Sequence, residues 1–153
     1  MNERTLLLNE IYNPALDSWE DLPNSPHPSD WNSAAVFCDK IYIASYSRVL
    51  AFDPVEERFP TIHEFTSKCF GKHIFAASGS LWVLDGNGPT LEFDEEGTLK
   101  AQWPSSGFDN ASRGESIQLE DCMYYLYEYG EVYKFSLVDK TFTKVVNLTK
   151  INN

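Results

Sequence analysis

Residues 11–23 read IYNPALDSWEDLP and set a pattern that the chain repeats three more times. The pattern predicts a strand ending in an aromatic residue, a turn rich in Pro and Asp, and a second strand that opens on another aromatic residue. It returns at Phe52–Pro60 and Phe135–Phe142, and more weakly at Phe93–Leu99. The first aromatic residues are 40, 41 and 42 positions apart, so the chain is a tandem repeat.

A second series of hydrophobic strands keeps the same period. The central aromatic residues of these strands are 40 and 42 positions apart, at Tyr42, Trp82 and Tyr124. Each strand follows a polar turn short enough to close a hairpin, and another strand precedes each turn. The turns are Asp39-Lys40, Ser78-Gly79-Ser80 and Glu120-Asp121. One repeat therefore contains four antiparallel strands, which together with the period is typical of a β-propeller blade.

The chain resembles the kelch family of β-propellers, in which each repeat forms one four-stranded blade. The resemblance rests on Tyr12, Pro14 and Trp19, and on the variant Phe52-Asp53-Pro54 with Phe59. It covers the chain from about Thr5 to Leu148. The paired glycines that the family carries after the second strand are replaced by Ala44-Ser45, Asp85-Gly86 and Glu128-Tyr129. The resemblance thus implies the blade architecture and leaves open the subfamily, or another propeller of similar period.

We expect an all-β chain, residues 1–153, that forms a single segment of kelch-like β-propeller with about three and a half four-stranded antiparallel repeats. The half blade spans residues 5–22, and the full blades span about 33–65, 73–104 and 115–148. Inner strands should be buried on both faces. Trp19 and Phe59 are expected to pack between adjacent blades, so that Trp19→Ala would be severely destabilising.

Open blade faces and unpaired strand edges favour association, so we expect an incomplete ring or one completed in an oligomer. The expected completion is a homo-oligomer or another chain. Simple two-fold closure does not pair the missing strands of the half blade. This favours the interpretation that the chain is the C-terminal half of a propeller, with the N-terminal half on a separate chain or on an upstream segment. A small, self-contained β-sandwich is the structural alternative.

Composition and charge exclude several classes of partner. The formal net charge of −11 argues against binding to nucleic acid or to an anionic membrane surface. No apolar run is long enough for a transmembrane helix, and the N-terminus lacks the apolar core of a signal peptide. Cys38, Cys69 and Cys122 are expected to be free thiols in or beside buried strands, which together with the other features predicts a cytoplasmic protein.

The sequence contains no pattern that indicates catalysis. His27, His63 and His73 have no metal-ligand spacing, and no nucleophile elbow or phosphate-binding loop is present. The paired carboxylates, such as Glu56-Glu57, fall in turns of the repeat. A segment starting at Asp85 is similar to a calcium loop but has Thr90 where the sharp turn requires Gly. We therefore expect no enzymatic activity, no metal and no cofactor.

The remaining candidate site is a rim of loops. In a propeller, the loops between repeats and those between the second and third strands emerge on one edge. They carry aromatic, Arg and Asn side chains that are expected to bind a partner: Trp31, Tyr46, Arg48, Asn87, Phe108, Arg113 and Tyr129. The kelch resemblance implies a protein–protein interaction module with a protein or peptide partner, including service as the substrate-recognition part of a ubiquitin-ligase-type adaptor. The alternatives are a sugar-binding or sugar-processing propeller and a structural subunit held in a larger assembly through its open blade edges.

Overall fold

The computed structural model describes residues 9–25, 33–66, 72–85, 88–104, 115–126 and 130–147. Within these residues, fourteen strands and no helix form one two-stranded and three four-stranded antiparallel sheets. The N-terminal hairpin pairs β1 (Asn9–Asn13) with β2 (Ser18–Leu22).

Each four-stranded sheet has its strands in chain order, so each is a simple antiparallel meander. The first blade contains β3 (Ser33–Phe37), β4 (Lys40–Ala44), β5 (Arg48–Phe52) and β6 (Thr61–Glu64). The second contains β7 (His73–Ala77), β8 (Ser80–Leu84), β9 (Thr90–Phe93) and β10 (Leu99–Trp103). The third contains β11 (Glu115–Leu119), β12 (Cys122–Leu126), β13 (Glu131–Ser136) and β14 (Thr141–Asn147). These sheets confirm the expected all-β architecture of blade-like repeats.

The hairpin turn between β3 and β4, the first two strands of the first blade, contains Cys38. Cys38 and Asp39 have φ values of 46° and 60°, and Ser78 and Gly79 have 52° and 70°. Two central residues with positive φ suit the turns that match the twist of a hairpin. The first turn is therefore Cys38-Asp39, one residue earlier than expected.

This position corrects the expectation of buried cysteines. Cys38 is an exposed free thiol because it occupies the turn, and the free thiol of Cys122 is only partly buried. The remaining cysteine, Cys69, lies outside the described residues.

The Pro/Asp turns of the repeat share one hydrogen-bonding device. The side chain of the residue after the first aromatic accepts hydrogen bonds from backbone N–H groups two to four residues later in the chain. These bonds take the place of the strand-to-strand hydrogen bonds that the turn lacks. The Asp53 carboxylate accepts the N–H of Val55 at 2.9 Å and that of Glu56 at 3.1 Å. These bonds hold the pKa of Asp53 below its ordinary value. The same role falls to a side-chain oxygen of Asn13, Asp94 and Ser136 in the other three turns.

Alternation along the inner strands builds the core between successive blades. In β8, Leu81 and Val83 join a buried cluster with the first blade, whereas Trp82 and Leu84 join a cluster with the third blade. All five residues of β8 are buried, which confirms the expected burial on both faces for this strand. For β4 the expectation is wrong, because Ile41 is 39% exposed. Each Å² of apolar area that these two clusters bury contributes roughly 25 cal/mol to stability.

The expected burial of Trp19 is wrong. Its side chain is 66% exposed, and its ring centroid is 5.1 Å from that of Tyr12. Ile11 and Leu22 line a cleft shared with Phe52 of the first blade, so Trp19 lies on the opposite face of the hairpin. No sheet among the described residues covers that face.

Candidate functional site

The two kinds of loop expected to share an edge do so. The N–H of Phe65, in the loop after β6, donates to the carbonyl of Ser47, between β4 and β5, at 2.8 Å. On the opposite edge, the N–H of Leu137 donates to the carbonyl of Asp121 at 2.9 Å, which joins the two other kinds of turn. We call the first edge the loop rim; its described residues are 23–25, 45–47, 65–66, 72, 85, 88–89, 104 and 130.

Tyr46 is the most prominent aromatic side chain on the described part of the rim. It sits in a tight loop that is closed by the N–H of Ser45 donating to the carbonyl of Arg48 at 2.9 Å. The Ser45 hydroxyl donates to the same carbonyl at 3.0 Å. The side chain of Tyr46 remains 37% exposed, so a short and well-fixed loop presents an aromatic ring to solvent.

The buried ammonium of Lys72 fixes the loop that carries Tyr46. The ammonium of Lys72 donates to the carbonyl of Tyr46 at 2.9 Å and lies 4.3 Å from the centre of the Phe65 ring. Its Nζ is also 3.7 Å from the Asp85 carboxylate, and the two side chains are 1% and 0% exposed. Charges buried this deeply are stable only when they are paired and hydrogen-bonded. Lys72 and Asp85 therefore connect three rim segments that come from two blades.

Sequence reasoning missed this pair. Asp85 stands at the position of a family glycine and begins the calcium-like segment, but neither pattern predicts a buried ion pair, and no pattern includes Lys72. One signal was present: Asp85 directly follows the apolar run of β8, where a carboxylate needs a buried partner. The sequence offered no means of choosing which cation that partner would be.

Arg48 lies beside Tyr46 and is partly engaged within the chain. Its Nη1 is 3.8 Å from Glu64 Oε1, and its side chain is 20% exposed whereas that of Glu64 is 70% exposed. The rim next to Tyr46 therefore presents a carboxylate and part of a guanidinium. The other expected partner-binding residues lie outside the described residues: Trp31, Asn87, Phe108, Arg113 and Tyr129. For these five, binding stays a prediction.

The two described histidines pack as core rings. Burial lowers the pKa of His73 to about 4, and its ring lies edge-on to Tyr125 with centroids 4.5 Å apart. Burial also lowers the pKa of His63, which packs edge-on against Phe65 and Phe93. Both imidazoles are therefore neutral near pH 7.

The innermost strands of the three blades line an open groove of ≈ 570 Å³. Its described lining contains one ionisable side chain, His73, and is otherwise apolar or neutral and polar. Across the described ranges, no three His, Cys, Asp or Glu side chains lie close enough together to hold a metal ion. In the same part of the chain, no helix is long and apolar enough to cross a membrane.

Comparison with known proteins gives a structural likeness without a family. No protein-family model matches the chain, and no curated protein matches it. The chain is similar to the solved structure of YjhT, a β-propeller-type protein, with a TM-score of 0.67 and 11% sequence identity. The match covers 86% of this chain and 56% of that chain, so the chain spans little more than half the length of that structure. At this identity the likeness shows the fold alone.

Proposed function

We propose that the chain is a kelch-like protein-interaction module that binds a peptide segment of another protein at the loop rim. The observation that supports this most directly is that the loop carrying Tyr46 is fixed by hydrogen bonds while the ring stays partly exposed. A partly exposed aromatic ring on a short loop, fixed by the buried Lys72, loses little conformational entropy on binding. Rigidly held Tyr side chains are common among the residues that dominate interface energetics.

The charge of the chain favours a basic partner segment. The formal net charge is −11, and the Glu64 carboxylate is well exposed beside Arg48. Such a field attracts segments rich in Lys and Arg and raises their association rate. We extend the proposal to recognition of a substrate segment for a ubiquitin ligase in the cytoplasm. The kelch resemblance supports the ligase role, and the free thiols of Cys38 and Cys122 support a reducing compartment.

Panning a random peptide library against the immobilised chain tests the proposal. We expect enriched peptides to be basic and to lose at least about tenfold in affinity with Tyr46→Ala, measured by fluorescence anisotropy. Val55→Ala is the matched control, because Val55 is 90% exposed in a turn on the opposite edge. Peptides that bind wild type and Tyr46→Ala equally well would place the interaction elsewhere and refute the rim as the site.

A second candidate function, as a structural subunit of a larger assembly, is supported by a different observation. Apolar side chains are exposed on the sheet faces at both ends of the series of blades, including Trp19 at one end and Ile117 at the other.

A further inference from the structure

The third blade has an uncovered apolar face. We define the forward face of a blade as the face turned toward the next blade along the chain, and the rear face as the opposite one. On the forward face of the third blade, Ile117 is 69% exposed, Leu119 is 60% exposed and Leu126 is 43% exposed. Ile117 pairs with Tyr124, which places that ring on the same face.

Equivalent positions in the second blade are buried. When β11 is aligned with β7, the equivalent strand of the second blade, Ile117 and Leu119 take the positions of Phe75 and Ala77. Phe75 and Ala77 are 7% and 6% exposed. Phe75 and Ala77 are covered by the rear face of the third blade, within one apolar cluster. Ile117 and Leu119 thus have the side chains and register of an interface between blades, but no sheet within the described part of the chain covers them.

At the N-terminal end of the series of blades, the hairpin exposes an aromatic pair of the kind that packs between blades elsewhere in the chain. Tyr12 is 43% exposed and Trp19 is 66% exposed on the rear face of the N-terminal hairpin. Their ring centroids are 5.1 Å apart, and those of the equivalent pair Phe135 and Phe142 are 4.7 Å apart. In the third blade, Phe135 is 1% exposed because it packs on the forward face of the second blade, 5.8 Å from Trp82.

The inner strands of the first blade also expose a rear face. Val36 is 70% exposed and Ile41 is 39% exposed, whereas Leu81, which occupies the position of Ile41 in the second blade, is fully buried. Among the described residues, the N-terminal hairpin has two strands and lies over β4 and β5. It therefore leaves Val36, on the innermost strand β3, uncovered.

We propose that a second copy of the chain covers these faces in a head-to-tail dimer. The hairpin of each copy packs its Tyr12–Trp19 pair against Tyr124 and Leu126 of the partner, between the outer parts of two blades. The innermost strands then meet directly, with Ile117 and Leu119 facing Val36, as β3 already packs on β7 within one chain.

Blade geometry and charge fit this arrangement. Sheets in a propeller radiate from an axis, so the gap between two successive sheets widens outward, and a two-stranded hairpin fills that gap without inner strands of its own. By strand alternation, Lys134 lies on the forward face with Tyr124, and Asp21 lies on the rear face with Trp19. The Lys134 ammonium on the forward face and the Asp21 carboxylate on the rear face are therefore of opposite charge.

A second copy of the chain covers the exposed apolar faces at both ends of the series of blades at once. A contact between different faces leads to a closed ring when its rotation closes, and here two copies form two identical contacts. The match to YjhT spans 56% of that chain, so two copies supply the length of about one such propeller.

Light scattering on a size-exclusion column tests the proposal by mass. We expect about 35 kDa, twice the 17.5 kDa of one chain. Trp19→Glu and Ile117→Lys should each give a monomer with an unchanged circular dichroism spectrum, because both side chains are exposed in one chain. Val55→Glu, which adds a charge to an exposed turn away from both faces, should remain a dimer.

Mixing the two monomeric variants is the decisive measurement. In a head-to-tail dimer, a mixed pair has one contact with both faces wild type, and both substitutions fall in the other contact, so the mixture should regain the dimer mass. Should Ile117→Lys not fold, Leu119→Lys provides the same change on the same face. A monomeric wild-type chain would overturn the proposal. A dimer broken by Ile117→Lys but not by Trp19→Glu would also overturn it, because it would mean that third blades pack face to face.

Discussion

At the scale of single residues, His73 makes the stability of the fold depend on pH. Its folded-state pKa of about 4 is below the ordinary value of 6.5, so between these values the unfolded chain binds the proton that the folded chain excludes. Stability is therefore full above pH 6.5 and falls as the pH drops toward 4, by up to about 3 kcal/mol. Urea unfolding at pH 7 and pH 4.5 should show a smaller loss for His73→Gln than for wild type. An equal loss in both chains would mean that other groups dominate.

Trp82 and Trp19 differ in how much they contribute to the free energy of unfolding. Trp82 is 1% exposed, donates its indole N–H to the carbonyl of Ala77 at 3.1 Å and stacks on Trp103. Trp82→Ala should lower the free energy of unfolding by about 3–5 kcal/mol. Trp19→Ala, at a 66% exposed site, should change it by less than about 1 kcal/mol when measured in dilute, monomeric protein. A loss for Trp19→Ala as large as that for Trp82→Ala would contradict the exposure of Trp19.

At the scale of elements, the Lys72–Asp85 pair joins the rim loops to the ends of β7 and β8. Lys72→Met removes the cation from the buried Asp85 carboxylate and should cost about 3–5 kcal/mol in urea unfolding. The double variant Lys72→Met/Asp85→Leu should recover much of that loss, because no charge is then buried. The single variant should also increase amide hydrogen exchange at Ser45, next to the Tyr46 carbonyl that Lys72 contacts. Equal destabilisation in the single and double variants would show that burial of the charge is not the cause.

The elements themselves could be predicted from the sequence because their signals are local. Tyr12 and Trp19 are paired across β1 and β2, and Phe135 and Phe142 across β13 and β14, as the repeated pattern required. Alternation and turn residues act within a few positions, so the sequence places both in the correct register. The first hairpin turn differed by one residue, because the sequence alone did not show that Cys38 adopts a positive φ.

At the scale of the whole molecule, the candidate site could be predicted only in part. Tyr46 lies on the rim expected for it and Arg48 lies next to the rim as the first residue of β5, since the edge on which a loop emerges follows from the strand count. The support under Tyr46 comes from Lys72, 26 positions away and on another blade. No local pattern encodes a contact of this kind, because it depends on how two sheets pack.

The sequence by itself determined the period, the four strands of each blade and the aromatic pairs, since these depend on turn chemistry and alternation within one repeat. The tertiary structure decided which faces are buried. Trp19, Phe59 and Phe142 follow the same pattern, yet Trp19 is exposed, because no described sheet lies across the rear face of the hairpin. Burial is a property of two surfaces, and a repeat specifies only one of them.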